Sequence, residues 1–395
     1  MKYFLLSILL FQTFTVTFSE DFSGDFSGDF SEDLPEDFSE DLDVYYKDYI
    51  KQFGYELEEN SVTTEDGFIL SIWHLQPKKP NGKVVYLQHG LADTAWTFFQ
   101  LKEKSLPFFL LQEGFDLWLG NTRGNVFSLK HVTKKIDNAY TNFTMDEMVK
   151  YDLPTMVNYV KSRTGVEKVS YLSHSQGTTI FFMLYMHNPT YVEQTFDHYV
   201  SLGSVPNVAH THLTALEILD IIACILKAVK IFDTINLSNF QRNLVSGFCR
   251  LSPGICGKFV DGATALRPTK RMDYTNIYNF MFYYPGGVSK TNLLHWSQIH
   301  RMKKLVYYNP NFEEEKTAEP YNIENLKKWK LKSLIARSDD DTLSSYEDVT
   351  EFYNTVEDKS VIQLLDLKEY SHIDVLSSES ACQDVFIPIS NFLNN

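Results

Sequence analysis

The stretch Val169-Ser170-Tyr171-Leu172-Ser173-His174-Ser175-Gln176-Gly177-Thr178-Thr179-Ile180 decides how the chain is read. Val169 to Leu172 is a short β-prone run, small or polar residues follow, and Thr178 to Met186 is apolar until His187-Asn188-Pro189 closes it. That pattern predicts strand, sharp turn and helix. Such a turn lifts a serine hydroxyl above the carboxyl edge of a sheet and aims the first amides of the helix at the same spot. Ser175 is therefore the candidate nucleophile. The common pattern is Gly-x-Ser-x-Gly, because side chains two residues before and after the nucleophile meet neighbouring backbone. Here Ser173 stands at the first of those positions, which predicts a strained turn. A degenerate match of this length is weak alone, so the rest of the chain must carry the reading.

At 395 residues the chain exceeds an ordinary domain, unless a single α/β core carries a large insertion. A hydrophobic content of 44% with 15% aromatics supports a substantial core. Met1-Lys2, an apolar run from Tyr3 to Phe11 and small residues through Ser19 predict a secretory signal peptide over residues 1–19. The run is too short to span a bilayer, so no transmembrane segment is expected in the mature chain. A secreted or lumenal protein follows, and the sequons at Asn142 and Asn236 fit that route as glycosylation sites. Of the four cysteines, Cys249 and Cys256 flank Ser252-Pro253-Gly254 and predict a small local disulfide; Cys224 and Cys382 are left as either a second pair or buried thiols.

The net charge of −15 is concentrated at one end. Residues 20–43 hold eleven acidic side chains and no basic one, and residues 1–19 add one positive charge, so residues 44–395 carry only −5. Nothing in that balance points to nucleic acid. Residues 20–42 repeat Asp-Phe-Ser-Gly and its variants, a low-complexity acidic segment predicted to be disordered.

From Asp43 the composition becomes globular. Glu58 to Glu65, Asp66-Gly67 and Phe68 to Leu75 read as a hairpin. The apolar strands Val84–Gln88, Phe115–Leu119, Val169–Leu172, Tyr199–Gly203, Ser333–Arg337 and Val361–Leu367 alternate with helical segments, among them Trp96–Leu111 and Thr144–Val160. The alternation predicts a mostly parallel sheet with both faces covered. About 130 residues separate Gly203 from Ser333, far more than an αβ unit needs. An inserted helical cap at 205–296 is expected, with core segments 43–204 and 297–395. Within it, Leu213 to Phe232 is apolar but interrupted by Glu217, Asp220, Lys227 and Lys230, which suits an amphipathic cap helix.

Ester cleavage needs a nucleophile, a base, a carboxylate to orient the base and amides to hold the oxyanion. On an α/β-hydrolase sheet these come in the order Ser, Asp, His, each just past a strand. Ser175, an acid among Asp339, Asp340 and Asp341, and His372 keep both order and placement. His89 and His174 read as turn-packing residues, and Arg123 as a residue that pins its own loop.

At this point the chain resembles the acid lipase family, which includes gastric and lysosomal acid lipases. The likeness runs from about Asp43 to the C-terminal helix. It rests on Thr64–Phe68, Leu87–Leu91, Asp116–Asn125, Tyr151–Pro154, His174–Thr179, Pro285–Gly287 and His295–Gln298. The resemblance implies an α/β-hydrolase fold, a mostly parallel central sheet with an inserted helical cap or lid, and hydrolysis of triacylglycerols or sterol esters. Carried over by position, it implies Ser175 as nucleophile, His372 as base, Asp341 as orienting acid, and the backbone amides of Leu91 and Gln176 as the oxyanion hole. The chain departs from the family at Ser173 and at Ser338-Asp339, which stand where the family has glycines; the latter departure is expected to add negative charge near the triad.

The expectation is thus a serine lipase acting on neutral lipid esters at a lipid–water interface, in a secreted or lysosomal setting. No metal site, spacing for a zinc site or organic cofactor is implied. Two other readings stand beside it: a short-chain carboxylesterase on the same scaffold, and a catalytically silent lipid-binding protein.

Overall fold

The computed structural model describes residues 42–133, 142–211, 234–235, 239–266, 271, 274 and 277–395. The predicted signal peptide, the acidic repeat up to Asp41, Cys224, Asn236 and the expected helix Leu213–Phe232 lie outside the described residues.

Among the described residues a nine-stranded sheet forms the centre. Its strands are β1 (Leu57–Thr63), β2 (Phe68–Leu75), β3 (Val84–Gln88), β4 (Asp116–Gly120), β5 (Lys130–His131), β6 (Val169–His174) and β7 (Phe196–Leu202). A two-residue strand β8 (Thr234–Ile235) pairs with β9 (Val288–Ser289) outside this sheet, and β10 (Lys332–Ser338) and β11 (Ile362–Leu367) complete it. The order is β1-β2-β4-β3-β6-β7-β10-β11, with β5 added to β2. Asp66-Gly67 closes the β1–β2 hairpin in the antiparallel register Leu57 to Leu75. From β4 to β11 every pairing is parallel.

The strand sequences explain why both faces are covered. Tyr86 and Leu87, Tyr171 and Leu172, and Tyr199 and Val200 are sequence neighbours that fall into different buried clusters, as the two-residue period of a strand requires. One cluster stacks Tyr171 on Phe181 at 4.4 Å and Phe181 on Tyr199 at 4.2 Å between ring centroids. The other gathers Trp73, Trp96 and Leu172, with Tyr46 of the helix Leu42–Gln52 stacked on Trp73 at 4.5 Å. Each fully buried aromatic or aliphatic side chain contributes roughly 1.5–3 kcal/mol.

One expected helix is built differently. The Trp96–Leu111 segment breaks into Ala95–Phe99, Lys102–Lys104 and Leu106–Gln112. Lys102 takes φ 52°, and Pro107 has no amide to continue a helix but suits the first turn of a new one. Near the C-terminus Asp374–Ser377 stands apart, and residues 381–394 then run helical without a break, through a π turn at Cys382–Phe386 into Ile387–Asn394. The helical stretch after Thr144 starts on a capping box in which Thr144 and Glu147 satisfy each other's end.

Between β7 and β10 the chain forms the helices Asn239–Leu251, Pro253–Thr264, Ile277–Tyr283 and Lys290–Met302. The first two are joined by the Cys249–Cys256 disulfide, and with Val260, Ile277, Phe280 and Met281 the two half-cystines form a small apolar cluster of their own. Cys382 is a free, half-buried thiol. The helix Lys290–Met302 runs unbroken across residue 296, and Trp296 and Ile299 join the main core. No helix among the described residues is long and apolar enough to cross a membrane.

Candidate active site

Ser175 sits at the tip of β6, on the turn into the helix Gln176–His187, with φ 54° and ψ −125°. A non-glycine residue in that region is strained, at a cost of order 1–3 kcal/mol. Packing on either side maintains it. A Cβ on Gly177 would lie 2.7 Å from the Gln88 carbonyl oxygen and 2.8 Å from that of His89. A Cβ on Gly90 would lie 2.8 Å from that of Ser175. Glycine is thus required at Gly177, where two backbones touch, and at Gly90, which packs on the Ser175 side chain. Ser173, by contrast, is an ordinary strand residue, fully buried and paired with Gln88 and Ser201 on either side. The strain expected at Ser173 is carried at Ser175 instead.

His372 lies on the loop after β11. Its Nδ1 is 2.9 Å from Asp341 Oδ2, and its Nε2 is buried with no hydrogen-bond partner. Asp341 Oδ1 also accepts the amides of Leu343 and Ser344, each at 2.8 Å, which fixes the carboxylate. An Nδ1–H donated to Asp341 leaves Nε2 as the basic nitrogen. Of the three consecutive acids, Asp341 is the one at the imidazole. Asp339 turns outward and accepts the Glu369 amide at 2.8 Å, so the negative charge expected beside the triad from this substitution is directed away from it. Ser338 likewise binds the histidine loop: its hydroxyl donates to the Tyr370 carbonyl at 2.6 Å and accepts the Tyr370 amide. The two departures from the family pattern join the acid loop to the histidine loop.

Ser175 and His372 line one cavity of about 120 Å³ together with Leu91, Asp93, Val205, Thr264, Phe280, Tyr284 and Trp296. Gln176 is the first residue of its helix, so its amide has no intrahelical acceptor. Its side chain is held elsewhere: Oε1 accepts from Trp296 Nε1 at 2.6 Å and from Asn292 Nδ2 at 3.0 Å. That gives a physical role to the His295-Trp-Ser-Gln stretch that the sequence left unexplained. Leu91 follows Gly90, whose carbonyl accepts from His89 Nδ1 at 2.9 Å, while His89 Nε2 accepts from the Thr122 amide. Burial lowers the His89 imidazole to about 4, so it stays neutral and serves as a brace. His174 donates from Nε2 to the His372 carbonyl at 2.8 Å, and burial holds it to about 3. Both histidines pack the turns, as their sequence positions implied.

Arg123 also pins its loop. Its Nε donates to Asp152 at 2.7 Å and its two terminal nitrogens grip Asp66 at 2.6 and 2.9 Å. Burial opposes the charge, but Asp152 and Asp66 outweigh it and hold the guanidinium firmly protonated.

Two features were missed in the sequence. Asp93 lines the cavity and, through burial, is pushed up to about 7. The His372 amide donates to the Thr264 carbonyl at 3.0 Å, so the end of the helix Pro253–Thr264 touches the histidine loop directly. A buried acid just past the His89-Gly90-Leu91 loop could have been suspected from position; a main-chain contact has no residue signature. As for metals, among the described residues His210, Asp348 and Glu351 bring ligand atoms within 4.8 Å. Asp348 spends its oxygens on the His210 amide and ring and on Thr211, anchoring the start of the cap away from the cavity. Asn142 is exposed, and its Oδ1 accepts from Thr291.

This geometry is that of an α/β-hydrolase-fold protein. A family profile described as the alpha/beta hydrolase fold matches residues 83–374, and one described as a partial alpha/beta-hydrolase lipase region matches residues 46–101. The chain is 31% identical to human lipase member M, over 83% of this chain and 80% of the relative. It is 30% identical to mouse gastric triacylglycerol lipase, over 85% of this chain and 88% of the relative. Among solved structures, an esterase from Exiguobacterium antarcticum superposes with a TM-score of 0.56 at 13% identity, covering 86% of this chain and all of the other, a likeness of fold. The chain belongs to the α/β-hydrolase lipase family that holds gastric lipase and lipase member M.

Proposed function

We propose that this protein is a serine lipase that cleaves ester bonds of neutral lipids, triacylglycerols or sterol esters, through an acyl-enzyme. The observation that carries the reading is the His372 ring, held at Nδ1 by Asp341 and bare at Nε2 in the cavity that Ser175 lines. In this reading His372 Nε2 takes the Ser175 proton as Oγ attacks the acyl carbon. The amides of Leu91 and Gln176 hold the oxyanion, and His372 returns the proton to the departing alcohol. Water, deprotonated by the same histidine, then releases the fatty acid and restores Ser175. Asp341 stabilises the imidazolium and fixes its tautomer. The lipase names of the relatives support a lipid substrate, and the N-terminal sequence supports a secreted or lumenal site with glycans at Asn142 and Asn236.

A second reading, a short-chain carboxylesterase, is favoured by cavity size: about 120 Å³ is small against the roughly 300–1,000 Å³ of ligand pockets. A long acyl chain would need the cap to shift. Hydrolysis of emulsified trioleoylglycerol, cholesteryl oleate and tributyrin by the full-length secreted protein, beside Ser175→Ala, tests the proposal. Cleavage of the long-chain esters that vanishes in the variant supports it; cleavage of tributyrin alone selects the esterase. No Ser175-dependent cleavage of any ester would leave the silent lipid-binding reading.

A further inference from the structure

The catalytic cavity holds more polar groups than the proposed chemistry uses. Its walls are largely apolar, formed by Leu91, Val205, Phe280, Trp296 and Ile373 beside Ser175 and His372. Several polar side chains that reach it are committed elsewhere: Trp296 donates to Gln176, the Thr264 hydroxyl donates to the Val260 carbonyl at 2.9 Å, and His174 donates to the His372 carbonyl. Asp93 and Tyr284 keep capacity to spare. The Asp93 carboxyl accepts the Thr94 amide at 2.8 Å and hydrogen-bonds the Thr97 side chain, and a carboxylate with about four lone-pair sites has room for another donor. The Tyr284 ring stacks on Phe280 at 4.8 Å between centroids, and among the described residues its hydroxyl makes no hydrogen bond. Main-chain contacts bring the two segments together. The Gly286 amide donates to the Ala92 carbonyl at 2.6 Å, and a Cβ on Gly286 would lie 2.5 Å from the Thr94 side chain and 3.0 Å from the Asp93 carbonyl. The Asp93 carboxyl interacts electrostatically with both Tyr284 and His372, which places it near both.

We propose that Asp93 and Tyr284 form a hydroxyl-binding subsite for the alcohol side of the substrate. The cavity would then select glycerol esters that keep a free hydroxyl, mono- and diacylglycerols, over fully esterified triacylglycerols and sterol esters. This rests on the serine-hydrolase reading and narrows its substrate. In that reading the departing alcohol lies at His372 Nε2, which returns its proton, and the Asp93 carboxyl is close to the same residue. A free glycerol hydroxyl there donates to Asp93 and accepts from Tyr284. An alkyl alcohol in the same place excludes water from both groups and satisfies neither, and that penalty is the source of the discrimination. Asp93 and Tyr284 are specificity-determining residues, since they meet the alcohol and not the reacting atoms. The competing role for Asp93 is electrostatic support of the His372 imidazolium, which would act alike on every ester.

A pair of water-soluble esters isolates the hydroxyls. 1-Butyrylglycerol and propyl butyrate share an acyl group and a carbon skeleton and dissolve as monomers, so no lipid surface enters the comparison. In the full-length protein, kcat/KM for 1-butyrylglycerol should exceed that for propyl butyrate by about 100-fold. Asp93→Leu, which keeps the branched shape and removes both oxygens, should lower that ratio about tenfold or more; Tyr284→Phe, which removes only the hydroxyl, should lower it about fivefold. A role confined to folding or to His372 would slow both esters together and leave the ratio where it was. A ratio near one in the native chain, or a ratio that neither variant lowers, overturns the proposal. Binding separates this outcome from a failure of the serine-hydrolase reading. The Ser175→Ala protein, titrated calorimetrically with 1-O-butylglycerol and with butyl propyl ether, should bind the diol about tenfold more tightly, and by a smaller margin when Asp93→Leu is added. Equal affinities for the diol and the ether would rule out the subsite even in a protein that cleaves no ester.

Discussion

The two halves of the site are built by different means. The nucleophile half is part of the core: Ser175 takes its strained backbone because β6, β3 and the Gly90 loop leave no other room, and Gln176 is locked by Trp296 and Asn292. The base half hangs on loops after β10 and β11. Hydrogen bonds hold it, from His174 on one side, from Ser338 and Asp339 between the loops, and from Thr264 and Leu266 across the cap seam. The buried charges follow the same division. Arg123 is matched by two carboxylates, whereas Asp261, on the helix Pro253–Thr264, leaves Oδ1 buried without a hydrogen-bond partner. A core-built half is fixed by shape; a hydrogen-bonded half can be held or released.

Perturbing each half separately sharpens that contrast. The largest effect belongs to the base half: Asp341→Asn should lower kcat about 10⁴-fold by allowing the wrong imidazole tautomer. Asp339→Asn, whose partner is the Glu369 amide, should stay within about tenfold. Steady-state kinetics on one ester separates the two, and a larger loss at Asp339 than at Asp341 would reverse the assignment. On the core side, Arg123→Met leaves Asp152 buried without its cation and should cost about 3–5 kcal/mol of stability, read as a lower urea midpoint. Replacing Cys249 and Cys256 together by serine opens a short loop in the cap, where the two are 7 residues apart. The loss should be about 2 kcal/mol, seen as faster amide exchange in Asn239–Leu251 with little change in β6. The smallest effect is expected at Ser173→Gly: turnover unchanged within about twofold, and stability lower by about 0.5–1 kcal/mol from backbone entropy. A large gain in turnover there would return the strain to Ser173.

The contrast also explains what could be read from the sequence. The core half was legible because its requirements are residue types: glycine where two backbones touch at Gly177, apolar runs in β3, β6 and β10, a serine at a strand end. The order of Ser175, the acid cluster and His372 was legible for the same reason, and the resemblance singled out Asp341 within the cluster. The joint at Thr264–Leu266 was not, since any residue can offer a main-chain carbonyl or amide. Ser338 and Asp339 were visible as departures, but their partners depend on how two loops 30 residues apart come together. The break at Lys102 was hidden as well, because lysine gives no warning of a positive φ.

The central claim is an activated Ser175, and covalent capture tests it most directly. The folded protein would be incubated with a lipid-like fluorophosphonate and with a small one able to pass a closed cap, beside denatured protein and the Asp341→Asn variant, and the adduct located by mass spectrometry. The account predicts a single adduct on Ser175 in the folded protein, slowed by orders of magnitude in the variant and absent after denaturation. No adduct with either probe, or an adduct on another serine at the same rate, would contradict it.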